Sequence, residues 1–255
     1  MSAPSNNMRS LERAFDVLHT LQAATQPQRL SEVARGTGLH IATAQRIINV
    51  LVARGYAARS GDGYTAGPAA LAVAHAYMMT NPLSVVAQPV LQHLAANTRF
   101  TASLYVRVED SRVLVARVES DDPLSYVLPI GERLPLHLGS AGKVILAELD
   151  DEEQQRILAD VSAVDLADGR TVDRSGLLAE LARIRADGYA TSVSERLYGI
   201  ASVTAPVRDP DGHLAAVLGI TGPENALTPD TLNRIVPEVR RAATSLGSRL
   251  PHNRS

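Results

Sequence analysis

The chain has 255 residues, 45% of them hydrophobic, no cysteine and a formal net charge of −2. That length suits two ordinary domains with separate cores, and the missing cysteines exclude disulfides and thiolate metal sites. With no run of about 18 apolar residues and no secretory leader, a cytoplasmic protein without a membrane span is expected.

Cut near residue 80, the charge divides unevenly. Seven arginines face four acids up to Thr80, a balance of +3, and the remainder carries −5. A small basic module that approaches a polyanion, joined to a larger acidic one, fits that asymmetry. "RSLERAFDVLHTLQAA" places Leu11, Ala14, Phe15, Leu18 and Leu21 on one helical stripe behind an expected cap at Ser10. "LSEVARGTG" predicts a short second helix capped by Ser31 and closed by Gly36 and Gly38. "HIATAQRIINVLVARG" repeats the period with Ile41, Ala44, Ile47, Ile48 and Leu51 inward, leaves Thr43, Gln45, Arg46 and Asn49 on the other side, and stops at Gly55.

Three helices followed by the hairpin "YAARSGDGYTAG" match a winged helix-turn-helix, whose third helix enters the major groove while the wing lies on the neighbouring backbone. The residue types suit that task. Arg46 can pair with guanine or phosphate, Gln45 and Asn49 can read adenine, and Thr43 can reach phosphate or a thymine methyl. Arg59 on the wing is a candidate backbone contact. Helical trios of this size also serve as dimerisation or peptide-binding modules. "YTAGPAALAVAHAYM" then predicts a helix that is apolar on several sides, suited to joining the two parts and to dimerisation.

Beyond Pro82, "LSVVAQPVLQHLAANT" is an amphipathic helix, and "ASLYVRVEDSRVLVARVES" gives two strands about a turn at Glu109, Asp110 and Ser111. "LSYVLPIGERLPLH" predicts a further strand and a Gly-Glu turn. A helix capped by Ser140 follows, then helices in "LDDEEQQRILAD" and "RSGLLAELARIRADGY", the latter ended by Gly188. "YATSVSE", "ASVTAPVRD" and "HLAAVLGITG" are strands, the last two joined at Asp211 and Gly212, and a helix capped by Thr228 closes the chain. Helices bracketing an antiparallel sheet make an α+β layer of the kind that senses small molecules.

"LGSAGKVILA" resembles the start of a phosphate-binding loop, but His137 stands where the first glycine is needed and Val144 where Ser or Thr must ligate magnesium. What survives is a helix end: with Ser140 as cap, the N–H groups of Ala141 and Gly142 are unpaired donors at a positive terminus, which can hold an anion or simply see water. Lys143, the chain's single lysine, sits just beyond and reaches either solvent, a nearby acid or the pocket. His93, His137 and His213 lack metal-ligand spacing, and no serine lies in a nucleophile elbow. No catalytic residue, metal or cofactor is expected.

The order of these motifs resembles the IclR-type transcriptional regulators. The resemblance is carried by "SLERAFDVL", "GLHIATAQRIINVLVARGY", "GERLPLHLGSAGKVILA", "GYATSVSE" and "GIASVTAPVRDPDGHLAAVLGITGP", and spans about residues 8–250. It implies a winged helix-turn-helix at 8–68, a linker helix at 69–82 and a GAF-like effector-binding domain at 83–250. It further implies binding of double-stranded operator DNA as a homo-oligomer, dimer or tetramer, under control of a small organic acid. The acid's carboxylate would lie on the amides at Ser140 and Ala141, with Ser192, Ser202, Gly219 and Thr221 lining the remainder.

Four positions depart from the family pattern. Ser192 stands where a pocket acid can occur and Gly219 where a hydroxyl can, which admits an aromatic or longer acid beside a hydrophilic keto acid. Ile41 and Ala42 replace a basic residue and a serine before Thr43, so some phosphate anchoring falls to Thr43, Arg46 or the wing, or is lost. The alternative function is a small-molecule sensor that no longer binds DNA.

Overall fold

The structure is a computed structural model that describes residues 6–119 and 128–252. The chain forms two compact units, residues 1–80 and 81–255. No single helix among the described residues is long and apolar enough to cross a membrane.

The first unit holds α1 (Asn6–Ala23), α2 (Leu30–Gly36), α3 (Ile41–Ala53), the hairpin β1 (Ala57–Ser60) and β2 (Gly63–Ala66), and α4 (Ala69–Thr80). Val17, Leu21, Val33, Ile48, Leu51, Ala57 and Tyr64 form its core, to which α1, α2 and α3 contribute and which the wing closes. Gly55 ends α3 at φ +76, a conformation that favours glycine. α4 buries none of its residues.

Several expected caps and faces differ. α1 begins at Asn6, ahead of Ser10, which is therefore interior. Ser31 is interior as well: α2 starts after Arg29, whose backbone N–H donates to the Glu32 carboxylate at 2.7 Å, the acid half of a capping box. Ile41, expected inward, is 48% exposed, because the first turn of α3 runs past the edge of the small core that holds Ala44 and Ile48.

The second unit is a six-stranded antiparallel sheet between two helical layers. Its strands are β3 (Thr101–Val108), β4 (Ser111–Val118), β5 (Arg133–Pro135), β8 (Ala190–Val193), β9 (Ile200–Arg208) and β10 (Leu214–Pro223), in the order β5-β4-β3-β10-β9-β8. α5 (Pro82–Thr98) and α9 (Pro229–Gly247) cover one face, where Leu91, Leu104, Val203, Leu218, Ile220, Val239 and Leu246 pack together. α6 (Ser140–Glu148) and α8 (Arg174–Asp187) cover the other, with Ile145, Leu181, Ala190 and Val217 between them. The short helix α7 (Asp151–Ile157) and a small hairpin, β6 (Ala163–Asp165) with β7 (Thr171–Asp173), complete the unit.

Local chemistry explains the boundaries. The side chains of Asn81, Asp150, Asp173 and Thr228 accept N–H bonds at the starts of α5, α7, α8 and α9. Pro82 and Pro229 occupy first-turn positions where a missing N–H costs nothing. In "LSYVLPIGERLPLH" the strand β5 follows the Gly-Glu turn, and Leu124 to Val127, where the strand expected ahead of that turn begins, lie outside the described residues. The β6–β7 hairpin was not expected from the sequence: each strand is too short to show a period.

Candidate effector cavity and DNA-facing helix

Strand register places two rows of small side chains across the sheet beneath α6. Thr101, Thr221, Ser202 and Ser192 form one row, and Ser103, Gly219, Thr204 and Ala190 the next. Alternation along each strand puts Ser202 and Thr204 on one face. A cavity of about 60 Å³ opens there, lined by Ser103, Tyr105, Arg112, Ser140, Ala141, Ser192, Glu195, Arg196, Ser202, Thr204, Gly219 and Thr221 among others. All six expected effector residues, Ser140, Ala141, Ser192, Ser202, Gly219 and Thr221, therefore line one cavity.

The hydroxyls are linked to one another. Ser140 Oγ lies 2.6 Å from Ser202 Oγ and 2.8 Å from Thr204 Oγ1, and Ser202 Oγ lies 2.8 Å from Ser192 Oγ. Ser140 is consequently not the cap of α6. Gly139 is the capping position, at φ +80, and Ser140 is the first helical residue with its hydroxyl turned into the sheet. The reason is the chain path: the left-handed turn at Gly139 swings the helix start onto the strands, where Thr204 and Ser202 offer better partners than the Ser140 helix's own amides. Gly219 is required by the same network, since a Cβ there would overlap the Val203 carbonyl and the Thr204 hydroxyl.

Four amides open every α-helix without a partner inside it. Here Glu195 takes the first of them, accepting from the Gly139 N–H at 2.9 Å. Its other oxygen is 2.5 Å from Lys143 Nζ, which also binds Glu180 at 2.6 Å. Lys143 is buried and points away from the cavity, so of the three destinations open to it the nearby acids win. The amides of Ser140 and Ala141 remain at the cavity's edge. Beside this cluster, half-buried His137 is held below its ordinary imidazole value, by burial first and by the charge of Arg112 second. No cluster of His, Asp or Glu able to hold a metal ion occurs among the described residues.

Three charged cavity residues have no counterpart in the expectations from the sequence. Arg112 on β4 is almost wholly buried, with Nη1 donating to the Pro135 carbonyl and the guanidinium carbon 5.7 Å from the centre of the Tyr105 ring. Glu195 and Arg196 follow β8 and border the cavity as well. An arginine in an alternating strand ordinarily faces water, so nothing in the pattern marks Arg112 as interior.

In the first unit, α3 presents Arg46 and Asn49 to solvent and holds Thr43 and Gln45 half-buried. The Gln45 amide donates to Asn49 at 2.9 Å and to the Tyr64 hydroxyl at 3.4 Å, which ties helix to wing. Arg59 stacks over the Tyr64 ring at 5.8 Å from its centre, and Arg29 binds Asp62 at the wing's tip at 2.8 Å. The exposed side chain of Ile41 lies at the start of α3, the part of a recognition helix that meets base edges.

Models of both domains of one family match this chain: the IclR helix-turn-helix domain over residues 10–61, and the bacterial transcriptional regulator IclR C-terminal domain over residues 75–248. The chain belongs to the IclR family. As an IclR protein it is a transcriptional regulator, with a DNA-binding helix-turn-helix and an effector-binding domain, in a family of regulators rather than enzymes. The HTH-type transcriptional regulator BhcR of Paracoccus denitrificans is 29% identical over 244 residues, 95% of this chain and 87% of that one. A structure described as a transcriptional regulator from Rhodococcus sp. RHA1 is 31% identical, with a TM-score of 0.79 over 95% of this IclR chain and 98% of its own. An IclR homologue from Microbacterium hydrocarbonoxydans, complexed with 4-hydroxybenzoate, shares the fold at 24% identity and a TM-score of 0.81, covering 94% and 98% of the two chains.

Proposed function

We propose that this regulator binds a pseudo-palindromic operator as a dimer or tetramer, and that a small carboxylate-bearing effector in the α6 cavity modulates the binding. Residues 8–68 serve as the DNA-binding part, 69–82 as the linker and 83–250 as the effector-binding part. The observation that carries the reading is the cavity: a helix start with unspent amides, a chain of four hydroxyls and two arginines converge on it. Such a lining attracts an anion with additional acceptor oxygens. A fold relative that holds 4-hydroxybenzoate supports an acid as the ligand class.

On the DNA side, Arg46, Asn49, Gln45 and Thr43 on α3 meet the major groove and Arg59 follows the backbone. Ile41 adds an apolar tip suited to a thymine methyl, which offsets the missing basic residue with a base contact rather than a phosphate contact. Dimerisation is supported by apolar surface: α4 exposes Leu71, Val73, Met78 and Met79, and α1 exposes Leu11 and Phe15. Exposed apolar side chains of this kind suit a protein interface, and a twofold pair reads half-sites about 34 Å apart.

Gel shift on the chain's own upstream region, with and without two- to four-carbon acids, tests the reading. A shifted band that an acid strengthens or weakens, while the matching amide does not, is the expected result. Acid binding with no shift on any fragment would leave a sensor that does not bind DNA, and a shift indifferent to every acid would remove the effector assignment.

A further inference from the structure

Of the charged groups around the cavity, Glu195 is already spent on Lys143 and the Gly139 amide, and Arg196 has a partner within the chain. Arg112 differs from both. It is 3% exposed and forms no ion pair among the described residues. Among the described residues, of its three nitrogens only Nη1 has an acceptor, the Pro135 carbonyl, and buried Nε has none. A buried guanidinium with unmet donors is costly, and such groups are nearly always paired.

Its surroundings sharpen the demand. Arg112 lies under the first turn of α6: a Cβ on Gly142 would overlap Nη1, and one on Gly139 would come within 3.3 Å of Nη2. The positive end of a helix and a positive side chain thus meet at one wall of one cavity. Burial pulls the Arg112 pKa down to about 10, with Arg196 adding to the fall and Tyr105 and Glu195 opposing it. At neutral pH the group is protonated all the same, so the wall carries an unpaired cation.

We propose that Arg112 is the counter-ion of the effector's carboxylate, pairing through the guanidinium edge that the chain leaves free while the Ser140 and Ala141 amides hold the same group. The inference rests on the reading of this cavity as the effector site. It also bounds the ligand. An engineered cavity of about 150 Å³ takes benzene, whereas this one holds about 60 Å³ and adjoins a second of about 50 Å³ that shares Ser103, Tyr105, Arg196 and Thr221. A monocarboxylate of two to four carbons fits; a benzoate ring does not fit without a wider cavity. The hydroxyls of Ser202 and Thr204 then meet its remaining oxygen or alkyl portion.

Isothermal calorimetry on the full-length protein tests the pairing with glyoxylate, pyruvate and butyrate, their amides, and benzoate. At least one short acid binds the parent in the micromolar to millimolar range, and its amide binds far more weakly. Arg112→Met should lower that acid's affinity about ten- to hundredfold and collapse the preference for acid over amide, which loss of packing alone would not do. Arg112→Lys retains the charge without the fork and should recover part of both, and it carries the test if the methionine variant does not fold. Equal affinity and equal acid preference in parent and both variants overturn the assignment of Arg112 while leaving the cavity as the effector site. Failure of every acid to bind the parent overturns both, and benzoate binding more tightly than the short acids overturns the size limit.

Discussion

Replacing Lys143 by methionine preserves length and volume and removes only the charge. The lysine side chain is 3% exposed, with Glu195 at 11% and Glu180 at 24%, so the substitution strands two carboxylates, of which water reaches chiefly Glu180. Breaking a buried pair by deleting one partner costs about 3–5 kcal/mol. Water at Glu180 relieves its share, so about 3 kcal/mol is expected, which for a chain of this size lowers the midpoint of thermal unfolding by roughly 6–12 °C. Calorimetry of the intact protein is the appropriate assay, because the two units can unfold in separate transitions. The loss should fall on the larger unit and be partly recovered in Lys143→Met/Glu195→Gln, where one stranded charge is gone. Acid affinity should fall only severalfold, since the lysine acts on the cavity through Glu195 and Gly139. A loss under 1 kcal/mol, or no recovery in the double variant, would refute the view that this triad is held by its charge.

Arg46→Ala should weaken operator binding by about 1–3 kcal/mol in a sequence-dependent way if the arginine reads a base, or weaken all DNA equally with a shallower salt slope if it touches phosphate; fluorescence anisotropy over a salt series separates the two. Ser202→Ala breaks the hydroxyl chain at its middle, and ligand-induced thermal shifts should shrink while operator affinity holds. Gly219→Ser places a Cβ against the Val203 carbonyl and the Thr204 hydroxyl, so a destabilisation of about 1–3 kcal/mol is expected by chemical denaturation. His137 is depressed below its ordinary value in the folded chain, so its contribution is present above about pH 6.5 and is lost as pH falls through the depressed value. His137→Asn should flatten that part of the stability–pH curve.

Periodicity made α3, the wing and the α5 and α9 helices legible, because each buries one face and spaces its apolar residues accordingly. The cavity was legible as a set of positions but not as a geometry. Ser140 has the chemistry of a cap, yet the turn at Gly139 decides where its hydroxyl points. Lys143 finds acids 37 and 52 positions further along the chain, a pairing that local spacing cannot show. Arg112 was invisible for a different reason: what makes it unusual is that, among the described residues, no acid forms an ion pair with it, and a lack of that kind exists only in three dimensions. Ile41 failed in the opposite sense, since its place in the period is right but the core ends before reaching it.

The four linked hydroxyls own four hydrogens and make three bonds among themselves, from Thr204 through Ser140 and Ser202 to Ser192. One hydrogen is left over, and where the three bonds run in one direction it belongs to the end toward which the donors point. Rotating the hydroxyls together reverses the direction of all three bonds, with the heavy atoms standing still, and moves the spare donor from the Thr204 end to the Ser192 end. A visiting oxygen at either end of the row is therefore met by a donor from the same four side chains, and the wall adjusts its polarity to its guest without repacking.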